Sequence, residues 1–333
     1  MKYARILAYV RNTLWSIAPE KWHELLTALA FRAAGHEFTP EEIKARIGDG
    51  GGESPSASSQ GAVAVIPIRG VLANRMSGME ESSGGASAER IGAMIAAVAA
   101  DPNIKTILYD IDSPGGTVPG IQELAAQMFA LRGVKKQIAQ VNDTAASAAY
   151  WLASQANEIV SIPSGTVGSI GVFAAHEDLS AALENEGIKI TLISAGKYKM
   201  AGNPFEPLSD VERAVVQARV DDAYAQFVKD VARGRGVTPA AVRGGYGEGR
   251  ALSAKDAKTA GMIDRIATMD ETLTRLTGRA RVGGMRAEAD DTDLCATTDP
   301  LLDPTSRESL DAQQAAHESA QADQARTRRL RLL

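Results

Sequence analysis

Between Ala62 and Ile162, short runs of β-branched and apolar residues alternate with stretches whose apolar residues recur at helical spacing. This alternation constrains the fold more than any other feature of the chain. AVAVIPIRGVL (Ala62 to Leu72) reads as a strand, and Ser87 then stands where a helix cap belongs, ahead of Ile91, Met94, Ile95 and Val98. IKTILYDI (Ile104 to Ile111) returns to strand. A helix is expected around Ile121, Leu124, Met128 and Leu131, a strand over Gln137 to Val141, a helix over Ala145 to Gln155 and a strand over Glu158 to Ile162. Repeated β-α-β units of this length dictate an α/β fold with a mainly parallel sheet and helices outside it. A further helix and strand are expected over Leu179 to Ile193. From Asp210, the spacing of Val216, Val220, Ala223, Phe227 and Val231 predicts a long helix that stops at Gly234.

The flanks differ in character. GDGGGESPSASSQ (Gly48 to Gln60) cannot bury apolar surface and reads as a flexible linker. It divides the chain into an N-terminal helical segment over 1–47, the linker over 48–60, a core over 61–278 and a tail over 279–333. Asp, Thr, Ala and Gln dominate the tail, which is expected to be flexible. Ile6 to Phe31 is apolar at first sight, but Arg11, Pro19, Glu20, Lys21, His23 and Glu24 interrupt it. It reads as two short amphipathic helices, since a membrane span needs ~20 uncharged residues. Packing on the chain's own core, packing on a neighbouring subunit and an assembly role all remain open for it.

Composition narrows the function. With 36 basic and 41 acidic residues the net charge is -5, which leaves no footprint for nucleic acid. The single Cys295 has neither a disulfide partner nor metal-ligating companions, which fits cytoplasmic synthesis. Asp112, Glu177 and Asp178 lack partner ligands at a recognisable spacing, so no metal and no cofactor is expected.

Three stretches carry chemistry, each at the end of an expected strand or the start of a helix. DSPGG (Asp112 to Gly116) can turn sharply and aim N–H groups outward, as an oxyanion hole requires, although a plain turn accounts for the same residues. NDTAASAAYW (Asn142 to Trp151) sets Ser147 among small residues at a strand-to-helix junction. There the helix dipole favours a negative intermediate, and an ordinary helix-start serine is the alternative. SAGKYKMAGNPF (Ser194 to Phe205) carries Lys197 and Lys199 ahead of a Gly-Asn-Pro turn. Loop lysines are ordinarily solvated charges. At a pKa of ~10.4 only about one lysine in 2,500 is neutral at pH 7, and a working base needs burial that lowers the pKa by ~3 units.

At these residues the chain resembles the serine peptidase family of signal peptide peptidase A, and within it the tailed-phage prohead proteases. DSPGG, TAASAAYW, TVGSIGV, GKYKMAGNPF and GRALSAKDAKTAGMID match in chain order, spanning about Ala62 to Thr277. The resemblance implies a crotonase- and Clp-like core and a Ser/Lys dyad, with Ser147 as nucleophile, Lys199 as general base and Ser169 orienting the lysine. It also implies an oxyanion hole made by Gly115 or Gly116 with the N–H of Ala148. Where the family often has two glycines after the nucleophile, this chain has Ala148 and Ala149. The family's single-copy members resemble ring-forming homo-oligomers whose neighbours share sites. Phage scaffold, portal or capsid proteins, and the chain's own tail, are the implied substrates, cut in the assembling prohead within the host cytoplasm.

Four other readings stand beside this one. A Ser/His/Asp triad would use His176 as base; an acyl-CoA hydratase or isomerase would use the N–H pair without a serine nucleophile. A host protease resembling signal peptide peptidase and a head or scaffold protein with an inactive protease fold are the others.

Overall fold

The computed structural model describes residues 10, 13–33, 56–76 and 84–278. Of the expected linker over 48–60 only 56–60 fall among these residues; the tail over 279–333 lies wholly outside them, as does most of the first expected N-terminal helix. Among the described residues no helix is long and apolar enough to cross a membrane.

In chain order the strands are β1 (Trp15–Ile17), β2 (Ser58–Gln60), β3 (Val63–Arg69), β4 (Val71–Ala73), β5 (Gly85–Ser87), β6 (Thr106–Ser113), β7 (Gly115–Thr117), β8 (Lys136–Ala146), β9 (Glu158–Ser161), β10 (Thr166–Gly168), β11 (Ala251–Ser253) and β12 (Arg265–Ile266). The helices are α1 (Pro19–Ala33), α2 (Ala88–Ala100), α3 (Ile121–Ala130), α4 (Ala148–Ala153), α5 (Ser180–Asn185), α6 (Asp210–Arg235), α7 (Pro239–Gly245), α8 (Ala254–Thr259) and α9 (Met269–Thr277). The larger sheet runs β11-β10-β8-β6-β3-β2, with β9 and β12 joined beside β8; the smaller runs β1-β7-β4-β5. The pairs β3·β6, β6·β8, β8·β9 and β8·β10 are parallel, so the chain is the mixed, mainly parallel α/β structure that its alternation dictates.

Ile66, Ile68, Tyr109, Ile111, Ala139 and Val141 on the central strands are fully buried, and α2, α3 and α4 pack Ile91, Ile95, Leu124, Met128 and Trp151 into the same core. The register of β6 on β8 jumps between Ile111, opposite Val141, and Ser113, opposite Ala145. The extra β8 residues form a bulge that re-aims the strand's end. Beyond it β8 leaves β9 and pairs with β10 through Thr144 to Ala146.

Several elements depart from the periodicity. β8 continues to Ala146, so the expected helix over Ala145 to Gln155 shrinks to α4, because Ala145 and Ala146 pair with β10. Ser58 to Gln60, at the end of the expected linker, pair antiparallel with β3. The long helix ends at Gly236, whose φ of 67° makes the left-handed cap, two residues beyond Gly234. Gly234 is a packing residue: a Cβ there would lie 2.1 Å from the Ser154 carbonyl oxygen. The strand expected before Ile193 is absent; Ile188, Ile190 and Ile193 are exposed and pair with no strand. Finally, Trp15–Ile17 is a strand where helix was expected, because both its edges are taken by backbone partners.

Candidate active site

β8 stops at Ala146 and α4 starts at Ala148, so Ser147 alone turns the chain from strand to helix. It does so at φ 56° and ψ −119°, a backbone conformation that a residue with a Cβ holds only when its surroundings dictate it. Those surroundings are identifiable. The Ser147 N–H donates to the Gly168 carbonyl at 2.7 Å, and its carbonyl accepts from the Trp151 N–H at 3.0 Å. All six residues of α4 are buried. The Trp151 indole stacks on Phe227 at 4.5 Å and donates to Asp230 Oδ2 at 3.0 Å, while the Tyr150 hydroxyl donates to the Met262 carbonyl at 2.9 Å. A helix held by α6 and by the Met262 backbone fixes where the preceding serine must sit.

The Pro-Gly-Gly turn lies against this serine. Gly115 has φ 96°, and a Cβ on it would fall 2.9 Å from the Ala146 carbonyl oxygen, 3.0 Å from Ser147 Cβ and 2.3 Å from the Ser16 carbonyl oxygen. Only glycine meets both demands. The Gly115 N–H donates to Ser113 Oγ at 3.2 Å. Ala148 is the first residue of α4, so its N–H has no partner within the helix. With alanines at 148 and 149, Ser147 takes its positive φ at the junction.

Ser169 follows β10 as Ser147 follows β8. The register pairs Gly168 with Ala146, so both serines emerge side by side from adjacent parallel strands. Ser169 also has positive φ, 51°, held by its N–H donating to the Arg250 carbonyl at 2.9 Å. It is buried, and its hydroxyl makes no hydrogen bond among the described residues. Of the non-glycine residues described, only Ser147, Ser169 and Glu248 have positive φ, so two of the three strained positions fall just past the carboxyl ends of two adjacent strands.

The fold brings together Ser147, Ser169, Gly115, Gly116 and Ala148, but not Lys199. Lys199 is exposed in a turn where its N–H donates to the Gly196 carbonyl at 3.0 Å. Its amine makes no hydrogen bond or ion pair among the described residues, with Ser147 or any other. The Lys197 amine lies 4.9 Å from the Tyr198 ring centre. His176 faces elsewhere too, with Nε2 2.9 Å from the Asn203 carbonyl oxygen. The partners of Ser147 Oγ are Ser16 Oγ at 2.7 Å and the Gly171 carbonyl at 3.5 Å. Ser16 is a site residue that sequence reasoning missed. Its signal is faint: a Trp-Ser-Ile triplet just before Pro19 at the start of α1.

The model of peptidase family S49 matches residues 130–283, the stretch that holds Ser147, Ser169 and Lys199. This segment is similar to peptidase family S49. Among proteins similar to this chain, the capsid assembly protease C of Escherichia phage lambda is 32% identical over 284 residues, covering 82% of this chain and 64% of the relative. The head-tail preconnector protein GP5 of Enterobacteria phage P21 is 34% identical over 227 residues, 67% of this chain and 45% of the relative. A putative signal peptide peptidase SppA of Enterococcus faecium is 30% identical over 177 residues, 53% of this chain and 51% of the relative. The chain thus spans less than two thirds of the length of each.

Proposed function

We propose that the chain is a serine endopeptidase of phage capsid maturation, cutting scaffold or other head proteins in the assembling prohead. The single observation that carries the chemistry is Ser147, a buried serine held at positive φ between a strand and a helix, against the Gly115 turn. The similarity to phage lambda protease C supports the setting.

In this reading Ser147 Oγ attacks the scissile carbonyl and passes its proton to the Lys199 amine. The N–H groups of Ala148 and of Gly115 or Gly116 hold the oxyanion. The lysinium then protonates the leaving amine, and water hydrolyses the acyl-enzyme with the lysine again as base. Ser169 orients the amine. Because Lys199 is exposed and free of Ser147 in its own chain, we assign it to the Ser147 of a neighbouring copy. The exposed Ile188, Ile190, Ile193 and Tyr198 in the segment leading to it support an interface there. Burial in that interface is also what would strip the amine of water.

The test is cleavage of purified phage head proteins, and of the chain's own tail, followed by mass spectrometry. The reading expects cleavage by the wild type and by His176→Ala, and none by Ser147→Ala or Lys199→Ala. Loss with His176→Ala and retention with Lys199→Ala would overturn the lysine base. Equal integrity of all substrates with wild type and Ser147→Ala would favour an inactive head protein.

A further inference from the structure

β1 is an extended segment whose middle residue, Ser16, touches Ser147. One of its edges pairs antiparallel with β7, Trp15 opposite Thr117, Ser16 opposite Gly116 and Ile17 opposite Gly115. The Val118 N–H donates to the Leu14 carbonyl at 3.0 Å and the Ala18 N–H to the Pro114 carbonyl at 2.8 Å. Hydrogen-bonded pairs alternate along an antiparallel ladder, so Ser16 and Gly116 form the pair between them and the Gly116 N–H is directed at the Ser16 carbonyl. The other edge of β1 is bound as well. Trp15 and Phe173 exchange both backbone hydrogen bonds at 2.9 Å. The segment is a strand added between β7 and residue 173, as peptides are recognised by strand addition.

The side chains alternate accordingly. Ser16 points inward, with its hydroxyl 2.7 Å from Ser147 Oγ and donating to the Gly171 carbonyl at 3.1 Å. Trp15 and Ile17 point outward and are buried with Val71, Phe173 and the α1 residues Trp22, Leu25, Leu26 and Leu29. The α1 helix therefore clamps the strand from outside. The result is a nucleophile only 1% exposed, covered by the chain's own backbone and capped by a hydroxyl.

We propose that Trp15–Ile17 is a resident blocking strand, a segment of this chain that fills the peptide groove in place of substrate and keeps Ser147 latent until it is displaced. The inference rests on Ser147 being the nucleophile and goes beyond it by naming the occupant of the groove. It also names what substrate must displace: a short strand held by backbone hydrogen bonds on both edges and by one apolar cluster.

The strand can be released within the full chain in two independent ways. Ile17→Asp places a charge in the apolar cluster, and Ser16→Pro removes the N–H of the Ser16–Gly116 pair. The assembled protein is treated with a fluorophosphonate, and labelling of Ser147 is followed by mass spectrometry, with amide exchange at Trp15 and Phe173 reading strand release. Both variants are expected to label about tenfold faster or more than wild type, as a groove open less than a tenth of the time requires. A synthetic peptide of residues 13–19 should return them toward the wild-type rate. Wild-type labelling rates in variants whose Trp15 amide has lost protection would overturn the proposal, as would scission of the wild-type chain within Trp15–Ile17. No labelling in any form would instead overturn Ser147 as nucleophile, and this inference with it.

Discussion

Ser147 and Gly115 face each other across less than a side chain's width, and most of the site's geometry follows from that contact. Gly115→Ala would drive a Cβ into the Ala146 carbonyl oxygen and Ser147 Cβ at a positive φ. It is expected to cost about 1–3 kcal/mol, measured by urea unfolding, and to reduce cleavage more than the stability loss explains. The sequence marked both residues through DSPGG and TAASAAYW, because a glycine pair after proline and a serine among alanines are local signals. Ser16 was not legible, since its role comes from pairing with residues about 100 and 155 positions away. Nor was the exposed setting of Lys199, since a motif names a residue without fixing its surroundings.

Elements were legible where burial imposes one period and illegible where it does not. β3, β6 and the cap of α2 by Ser87 appear as their patterns predict, because each has one face or both faces in the core. Ile188 to Ile193 has the composition of a strand but no sheet neighbour among the described residues, and a strand without a partner does not form. α4 depends on its contact with α6: Trp151→Ala empties a fully buried site against Phe227, and a loss of about 3–5 kcal/mol is expected on chemical denaturation. Asp264 ties β9 to the end of α6. Its carboxylate accepts from the Ile159 N–H at 2.7 Å and from Arg235 Nη2 at 2.7 Å. Burial raises this carboxyl, but the Arg235 and Ile159 hydrogen bonds outweigh burial and hold it below the usual carboxylate range. A carboxyl depressed on folding contributes stability above its unfolded pKa, and that contribution disappears as pH falls through the depressed value. Asp264→Asn should therefore be less stable than wild type at pH 7 and lose part of the acid dependence below pH ~4, read from thermal unfolding across pH.

For the whole molecule, the account needs two copies. The segment over 186–207 presents Ile193 at 95% exposure and Tyr198 at 48%, beside Lys199. Ile193→Asp should leave the stability of the isolated fold within about 0.5 kcal/mol, as exposed substitutions do. The same change should lower the assembled mass by light scattering and lower cleavage in parallel. The most direct test of a dyad shared between copies is mixing. Ser147→Ala and Lys199→Ala chains, each inactive alone, are dissociated together, reassembled and assayed on a head-protein substrate. Shared sites predict that about a quarter of wild-type activity returns, since one junction of four then pairs an intact serine with an intact lysine. A mixture as inactive as its two parents would contradict the account.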